Sequence, residues 1–273
     1  MKIARFRDPQ GRIHHGVPVD AARARRLGGH LFEGLIETTD ELVVERWLAP
    51  VLPINIYGIG LNYRAHAEET GAEIPTQPVV FMKPTTAIVD PQQPILLPRA
   101  CDRGPEVDYE AELAVVIGRK TRDVPIDSAL DCVLGYTCAN DVSARRWQKQ
   151  GGGGQWIRGK SFDTFCPLGP VLVTRDEIPD PQTLAVTCTL NGERVQTGHT
   201  SDMIFSVAEL IAFLSRDTTL LPGTLIVTGT PPGVGFARTP PRFLQNGDRV
   251  AVAIERIGTL ENPVRAAPAD AEA

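Results

Sequence analysis

Glu110 and Glu112 are the first residues from which chemistry can be argued, because they interrupt an otherwise apolar run, Tyr109-Glu110-Ala111-Glu112-Leu113-Ala114-Val115-Val116-Ile117. On a strand, alternate side chains share a face, so the two carboxylates point one way while Ala111, Leu113 and Val115 point the other. A helix would set them about 200° apart. Two like charges side by side in an apolar element repel and resist losing water unless a proton or a cation neutralises them. We read a cation. Asp141, delivered after Asn140 at the end of a strand over residues 136–139, is assigned as the third carboxylate, although an aspartate there is also a common turn or capping residue. Three carboxylates with no Cys or His alongside form an all-oxygen set, which suits Mg2+, Mn2+ or Ca2+ over Zn2+.

Other residues carry weaker signals. His66 and Glu69 stand three apart in a helix-compatible segment and so share a face. A histidine oriented by a carboxylate is the arrangement of a general base that activates water; an exposed helix with an incidental pair is the alternative. Lys83 ends a strand over residues 79–83, either as a substrate contact or as a strand-end charge in solvent. Gly154-Gln155-Trp156-Ile157-Arg158-Gly159-Lys160-Ser161 matches the P-loop pattern letter for letter. A P-loop follows a buried strand and opens a helix, whereas this stretch follows Lys149-Gln150 and a glycine run and leads into Phe162-Asp163-Thr164-Phe165-Cys166-Pro167. Lys160 is therefore read as a single cation beside the carboxylates, and nucleotide binding is kept only as a rival. The run Gly151–Gly154 is a flexible loop suited to moving over a site. Gly229–Gly235, after a buried strand over 225–228, is either a ligand approach or a plain turn.

The elements that must position these residues follow from periodicity and punctuation. Residues 1–48 read as a small β-rich domain with a capped helical turn or two from Asp20 to Leu27, and His14, His15 and His30 there read as surface or structural. Pro50 and Pro53 bracket a boundary near residue 52 into the main domain, 52–265. Ile126–Gly135 reads as a short helix with Asp127 as N-cap and Gly135 as its stop. Asn191-Gly192 signals a type I′ hairpin between residues 184–190 and 193–196. Ser206–Arg216 carries an apolar stripe of Val207, Leu210, Ile211 and Leu214, an amphipathic helix. Arg249–Ile257 is a final strand, and residues 266–273 are a flexible tail.

Composition narrows the class. A chain of 273 residues can bury a large core. Its net charge of −5 comes with scattered arginines and no basic stripe, which argues against nucleic acid as a partner. The apolar runs are too short to span a bilayer, so no membrane segment is expected. The N-terminus lacks the continuous apolar stretch of a signal peptide, and the chain reads as cytoplasmic. The five cysteines form no CxxC pair and read as buried free thiols.

Taken together and in order, Gly60-Leu-Asn-Tyr with His66 and Glu69, Tyr109-Glu-Ala-Glu-Leu, Asn140-Asp141-Val-Ser-Ala-Arg145, Gly159-Lys160-Ser-Phe-Asp and Thr228-Gly-Thr-Pro-Pro-Gly-Val-Gly resemble the fumarylacetoacetate hydrolase family. The resemblance covers roughly residues 54–265 and is nearest to the acylpyruvate hydrolase and oxaloacetate tautomerase branch. It implies an α+β, β-rich fold, a mixed β-sandwich roll with a small N-terminal β-rich domain, assembled as a homodimer. It implies Mg2+ or Mn2+ on Glu110, Glu112 and Asp141, with Ca2+ as a possible substitute. It implies a lid dyad of His66 and Glu69 acting with Lys160, and substrate contacts from Arg145, Gln148 and Thr230. The expected substrate is a small 2-oxo or 2,4-diketo acid, and the expected reaction is hydrolysis of a carbon–carbon bond through an enolate. Tautomerisation of oxaloacetate or decarboxylation on the same site is the alternative. A nucleotide-binding protein using Gly154–Ser161 and a noncatalytic ligand-binding module are rivals of other classes.

Overall fold

The structure, a computed structural model, describes residues 1–151 and 153–268. Its centre is the strand Ala111–Ile117, in which all seven residues are buried. It pairs antiparallel with Val133–Asn140 on one side and with Thr224–Val227 on the other. Both faces are covered, and so the strand is apolar apart from Glu112. Ala111, Leu113, Val115 and Ile117 face one core, Ala114 and Val116 a second on the opposite side.

Among the described residues this strand lies within a twelve-stranded mixed sheet. From one edge the order is Gly34–Val43, Arg23–His30, Ile13–Pro18, Lys2–Arg7, Cys166–Thr174, Val133–Asn140, Ala111–Ile117, Thr224–Val227, Asn55–Gly60 and Val79–Lys83. Arg46–Leu48 joins beside Lys2–Arg7, and Ile88–Val89 beside Cys166–Thr174. A five-stranded sheet of Glu193–His199, Ala185–Leu190, Arg249–Ile254, Gly258–Ala266 and Ile95–Leu97 lies over the first face. Between the layers, Leu113, Tyr136 and Cys138 pack with Val186, Cys188, Val252 and Ile254. The expected β-rich roll is the fold observed.

The first strands continue the large sheet, with Lys2 opposite Val173 and Ile3 opposite Leu172. Ile3, Leu27 and Leu31 bury against the Ala114 and Val116 face. The helical turns expected from Asp20 to Leu27 are instead a turn followed by the strand Arg23–His30. The buried residues Ala24 and Leu27 are three apart, a helix-like spacing, because a bulge between Arg25 and Leu27 inserts one extra residue. Asp20 caps the turn instead, accepting from the Ala22 amide at 2.9 Å and pairing with Arg23 at 2.7 Å.

The helix expected over Ile126–Gly135 is also shorter. It runs Ile126–Ala129, with Pro125 at the N-cap position, no side-chain cap bond and Asp127 in the first turn, then makes a 3-10 turn over Leu130–Cys132. Gly135 is not a helix stop; it lies inside Val133–Asn140, where a Cβ would collide with the Val173 carbonyl of the neighbouring strand. The Asn191-Gly192 hairpin forms, with φ of 54° and 82°, as a type I′ turn requires. The amphipathic helix is Val207–Ser215, closed by a capping box between Ser206 and Glu209. The expected last strand is two, Arg249–Ile254 and Gly258–Ala266, so Ala266 ends a strand, not a tail. Of the expected tail, residues 269–273 lie outside the described residues, as does Gly152 of the glycine run.

Candidate metal centre

The pairing of Ala111 with Asn140 sets Glu110, Glu112 and Asp141 at one end of the central strands. The Glu110 amide donates to Asn140 Oδ1 at 3.0 Å, and the Asp141 amide donates to the Glu110 carbonyl at 2.9 Å, locking the two strands together past the ladder's end. One ligand oxygen from each acid lies within 4.8 Å of the others. All three side chains are buried.

Three cations crowd this cluster. Lys160 Nζ donates to Glu110 Oε2 at 2.8 Å and to Asp141 Oδ2 at 2.6 Å. Arg145 donates to Glu110 Oε1 at 2.6 Å, and Lys83 to Asp141 Oδ1 at 2.5 Å. Burial opposes the charge on Glu110, but Lys160 and Arg145 outweigh it and hold that carboxyl well below the usual range. Glu112 has no such partner; it accepts one bond, from the Gly229 amide at 2.7 Å. Burial, together with the charges of Asp141 and Glu110, pushes its carboxyl well above 4.5. A compact, buried all-oxygen set with one uncompensated carboxylate fits a hard divalent cation.

The second group comes from the helix Arg64–Thr70, which follows the strand Asn55–Gly60. His66 Nδ1 lies 3.2 Å from Glu69 Oε2, and Glu69 Oε1 accepts the Gly233 amide at 2.8 Å. With Glu69 ionised, this network places the proton on Nδ1 and leaves Nε2 basic. Asn62 fixes the helix entry, donating to the Phe205 and Thr228 carbonyls at 3.0 and 2.8 Å. The Thr228–Gly235 stretch therefore approaches the site and holds the dyad.

His66, Glu110, Glu112, Arg145, Gln148, Lys160 and Thr230 all line one cavity of about 220 Å³. Thr230 Oγ1 donates to the Ala111 carbonyl and accepts from Gln196, each at 2.8–2.9 Å. Glu69 stands behind His66. Lys83 is neither on the cavity wall nor in solvent; it lies buried behind Asp141. Gly154–Ser161 follows a turn and holds only the short helix Ile157–Lys160, with Lys160 committed to carboxylates. No phosphate cradle is built there.

Four residues of the site were missed from sequence. Asp108, fully buried, accepts from Arg145 Nε at 2.8 Å and from the Gly235 and Phe236 amides at 2.7 and 3.0 Å. Arg145 Nη2 also lies 2.8 Å from Asp108 Oδ2, but without the alignment of a hydrogen bond. The period-two spacing from Glu110 could have found Asp108. The guanidinium of Arg145 sits 4.4 Å over the Phe236 ring, and Lys149 Nζ 3.8 Å over the same ring. Trp156 closes over Gly60, where any Cβ would strike the indole; a glycine ending a buried strand was the signal.

The sequence pattern described as Fumarylacetoacetate (FAA) hydrolase C-terminal matches residues 55–265. Over 218 residues the chain is 49% identical to a protein of Xenopus laevis named Oxaloacetate tautomerase fahd2, mitochondrial, covering 80% of this chain and 67% of that one. A 2-hydroxyhepta-2,4-diene-1,7-dioate isomerase from Mycobacterium marinum superposes with a TM-score of 0.83 at 40% identity, over 97% of this chain and 98% of that one. A fumarylacetoacetate hydrolase from Exiguobacterium antarcticum gives a TM-score of 0.83 at 39% identity, over 98% of this chain and all of that one. No helix among the described residues is long and apolar enough to cross a membrane.

Proposed function

The chain belongs to the fumarylacetoacetate hydrolase family, and from that premise we propose that it is a divalent-metal-dependent enzyme interconverting the keto and enol forms of a short 2-oxo dicarboxylic acid of the oxaloacetate class. One observation carries this reading: Glu110 and Glu112 and the imidazole of the His66–Glu69 pair line a single cavity of about 220 Å³, a volume suited to a substrate of a few carbons, with a ligand oxygen of Asp141 within 4.8 Å of both glutamates. The likeness to a tautomerase and to an isomerase supports it.

Glu110, Glu112 and Asp141 would hold Mg2+ or Mn2+, which would supply Lewis acidity to a bound 2-oxo acid. His66 Nε2 would take a proton from C3 of the keto form while the 2-oxo oxygen gains one from solvent to give the enol, and in the reverse direction it returns the proton to C3 as the enol hydroxyl gives its own up; Glu69 holds the ring and its Nδ1 proton. The Lys160 ammonium, fixed between Glu110 and Asp141, presents positive charge to the enolate oxygen. Trp156 and Phe236 add aromatic surface to the cavity wall.

Hydrolysis of a carbon–carbon bond, the first expectation from sequence, remains a second reading. It is supported by the same histidine, which could equally activate water, and by the likeness to a fumarylacetoacetate hydrolase. A panel of oxaloacetate and acylpyruvates, assayed with Mg2+ or Mn2+, separates the chemistries. Accelerated loss of enol absorbance without acid or CO2 release supports tautomerisation. Release of pyruvate and a second acid from acylpyruvates would replace it with hydrolysis, and CO2 release with decarboxylation.

A further inference from the structure

The cations on the cavity wall differ in what already neutralises them. Arg145 is bonded to Asp108 and Glu110, and Lys160 to Glu110 and Asp141. Lys149 also lines the cavity, at the end of the short helix Arg145–Lys149, yet it makes no ion pair with a described carboxylate. Its one close partner is the face of Phe236, 3.8 Å from Nζ to the ring centre. Lys149 is exposed at the cavity mouth, yet partial loss of hydration and the neighbouring Arg145 lower its pKa against the opposing pull of Asp108 and Glu110, and an added anion would relieve the repulsion from Arg145. Lys149 also faces an outer cleft of about 320 Å³, where Arg103, Arg145 and Arg146 outnumber the one carboxylate, Glu106, which is paired with Arg146, so the approach to it is net cationic as well.

We infer that Lys149 is the specificity-determining residue that recognises the second, distal carboxylate of a dicarboxylic 2-oxo acid, with Phe236 as the platform that holds its ammonium in place. The inference rests on the proposed 2-oxo acid chemistry and names the substrate subclass. The first carboxylate and the 2-oxo group belong at the triad, and the distal carboxylate then meets the one wall cation lacking an acid partner among the described residues. A neutral end group in that position leaves Lys149 with only the ring.

The test compares oxaloacetate with its 4-carboxamide, 2-oxosuccinamate, an isostere that lacks the distal charge. Both kcat/KM for enol–keto conversion and binding by titration calorimetry are measured with Mg2+ on the wild type, Lys149→Met and Lys149→Arg. Methionine keeps an apolar contact on Phe236, so a stable fold is retained and checked by melting. The preference for oxaloacetate over the amide falls by about 10- to 100-fold in Lys149→Met and is largely kept in Lys149→Arg. An unchanged preference in Lys149→Met, in either rate or affinity, overturns the assignment. A wild type that converts neither compound refutes the proposed reaction, and the calorimetric preference then decides the role of Lys149 on its own.

Discussion

Replacing Glu112 by glutamine isolates the unbalanced charge at the centre of the site. In the fold this carboxyl binds its proton more tightly than in the unfolded chain, where its pKa is the ordinary 4.5. Above that pH the metal-free native state therefore carries more protons than the unfolded state, and stability falls as pH rises until the folded-state pKa is passed. The slope is about 1.4 kcal/mol per pH unit. For a chain of this size that corresponds to a melting temperature dropping about 3–6 °C per unit. Glu110, shifted the other way, contributes stability present above the ordinary carboxylate range and lost only as pH falls, so it adds no slope in this window. Glu112→Gln keeps the Gly229 contact geometry, removes the charge and should flatten the slope in chelator. Saturating Mg2+ should stabilise the wild type by about 2.7 kcal/mol at a hundredfold excess over its Kd, and Glu112→Gln far less. Differential scanning fluorimetry from pH 5 to 8, with chelator and with Mg2+, reads both effects. Equal slopes in the two proteins, or equal stabilisation by Mg2+, would refute the account of the triad.

Three further outcomes follow from the geometry. His66→Gln should lower kcat by about 10²- to 10⁴-fold while Mg2+ still raises the melting temperature, separating proton transfer from metal binding. Lys83→Met leaves Asp141 with Lys160 alone and should cost about 3–5 kcal/mol in the metal-free protein, measured by denaturant unfolding. Because a competing cation is gone, Mg2+ should rescue that variant by more than it stabilises the wild type. Gly60→Ala should displace the Trp156 indole, cost about 1–3 kcal/mol and change the tryptophan fluorescence, with KM rising as the cavity opens.

Glu110 and Glu112 were legible because a period of two and a charge inside an apolar run are both local signals. Asp141 was legible as a carboxylate at a strand end, but its place beside Glu110 depends on the register of two strands 30 residues apart. Lys83 could be read two ways, and neither foresaw it bonded behind Asp141, since which face of an edge strand is covered is a tertiary property. Asp108 hid in a polar approach to the strand, where an aspartate also reads as a turn residue. The helix expected at Asp20–Leu27 failed because a bulge mimics helical spacing, and a bulge leaves no mark in composition. The letters of the P-loop pattern at Gly154–Ser161 stand after a turn in place of a strand, which is the context the sequence reading relied on.

The ring of Lys83, Lys160 and Arg145 around the acids also bears on the order of events in the life of the protein. In sites where metal binding supplies the folding energy, the empty chain stays unfolded until an ion arrives. Here the surrounding cations already balance most of the acidic charge, so the chain can complete its β-roll with the ligands in place and take up its ion last. With the proposed cation bound, such a site would be open to emptying and refilling without dismantling the protein around it.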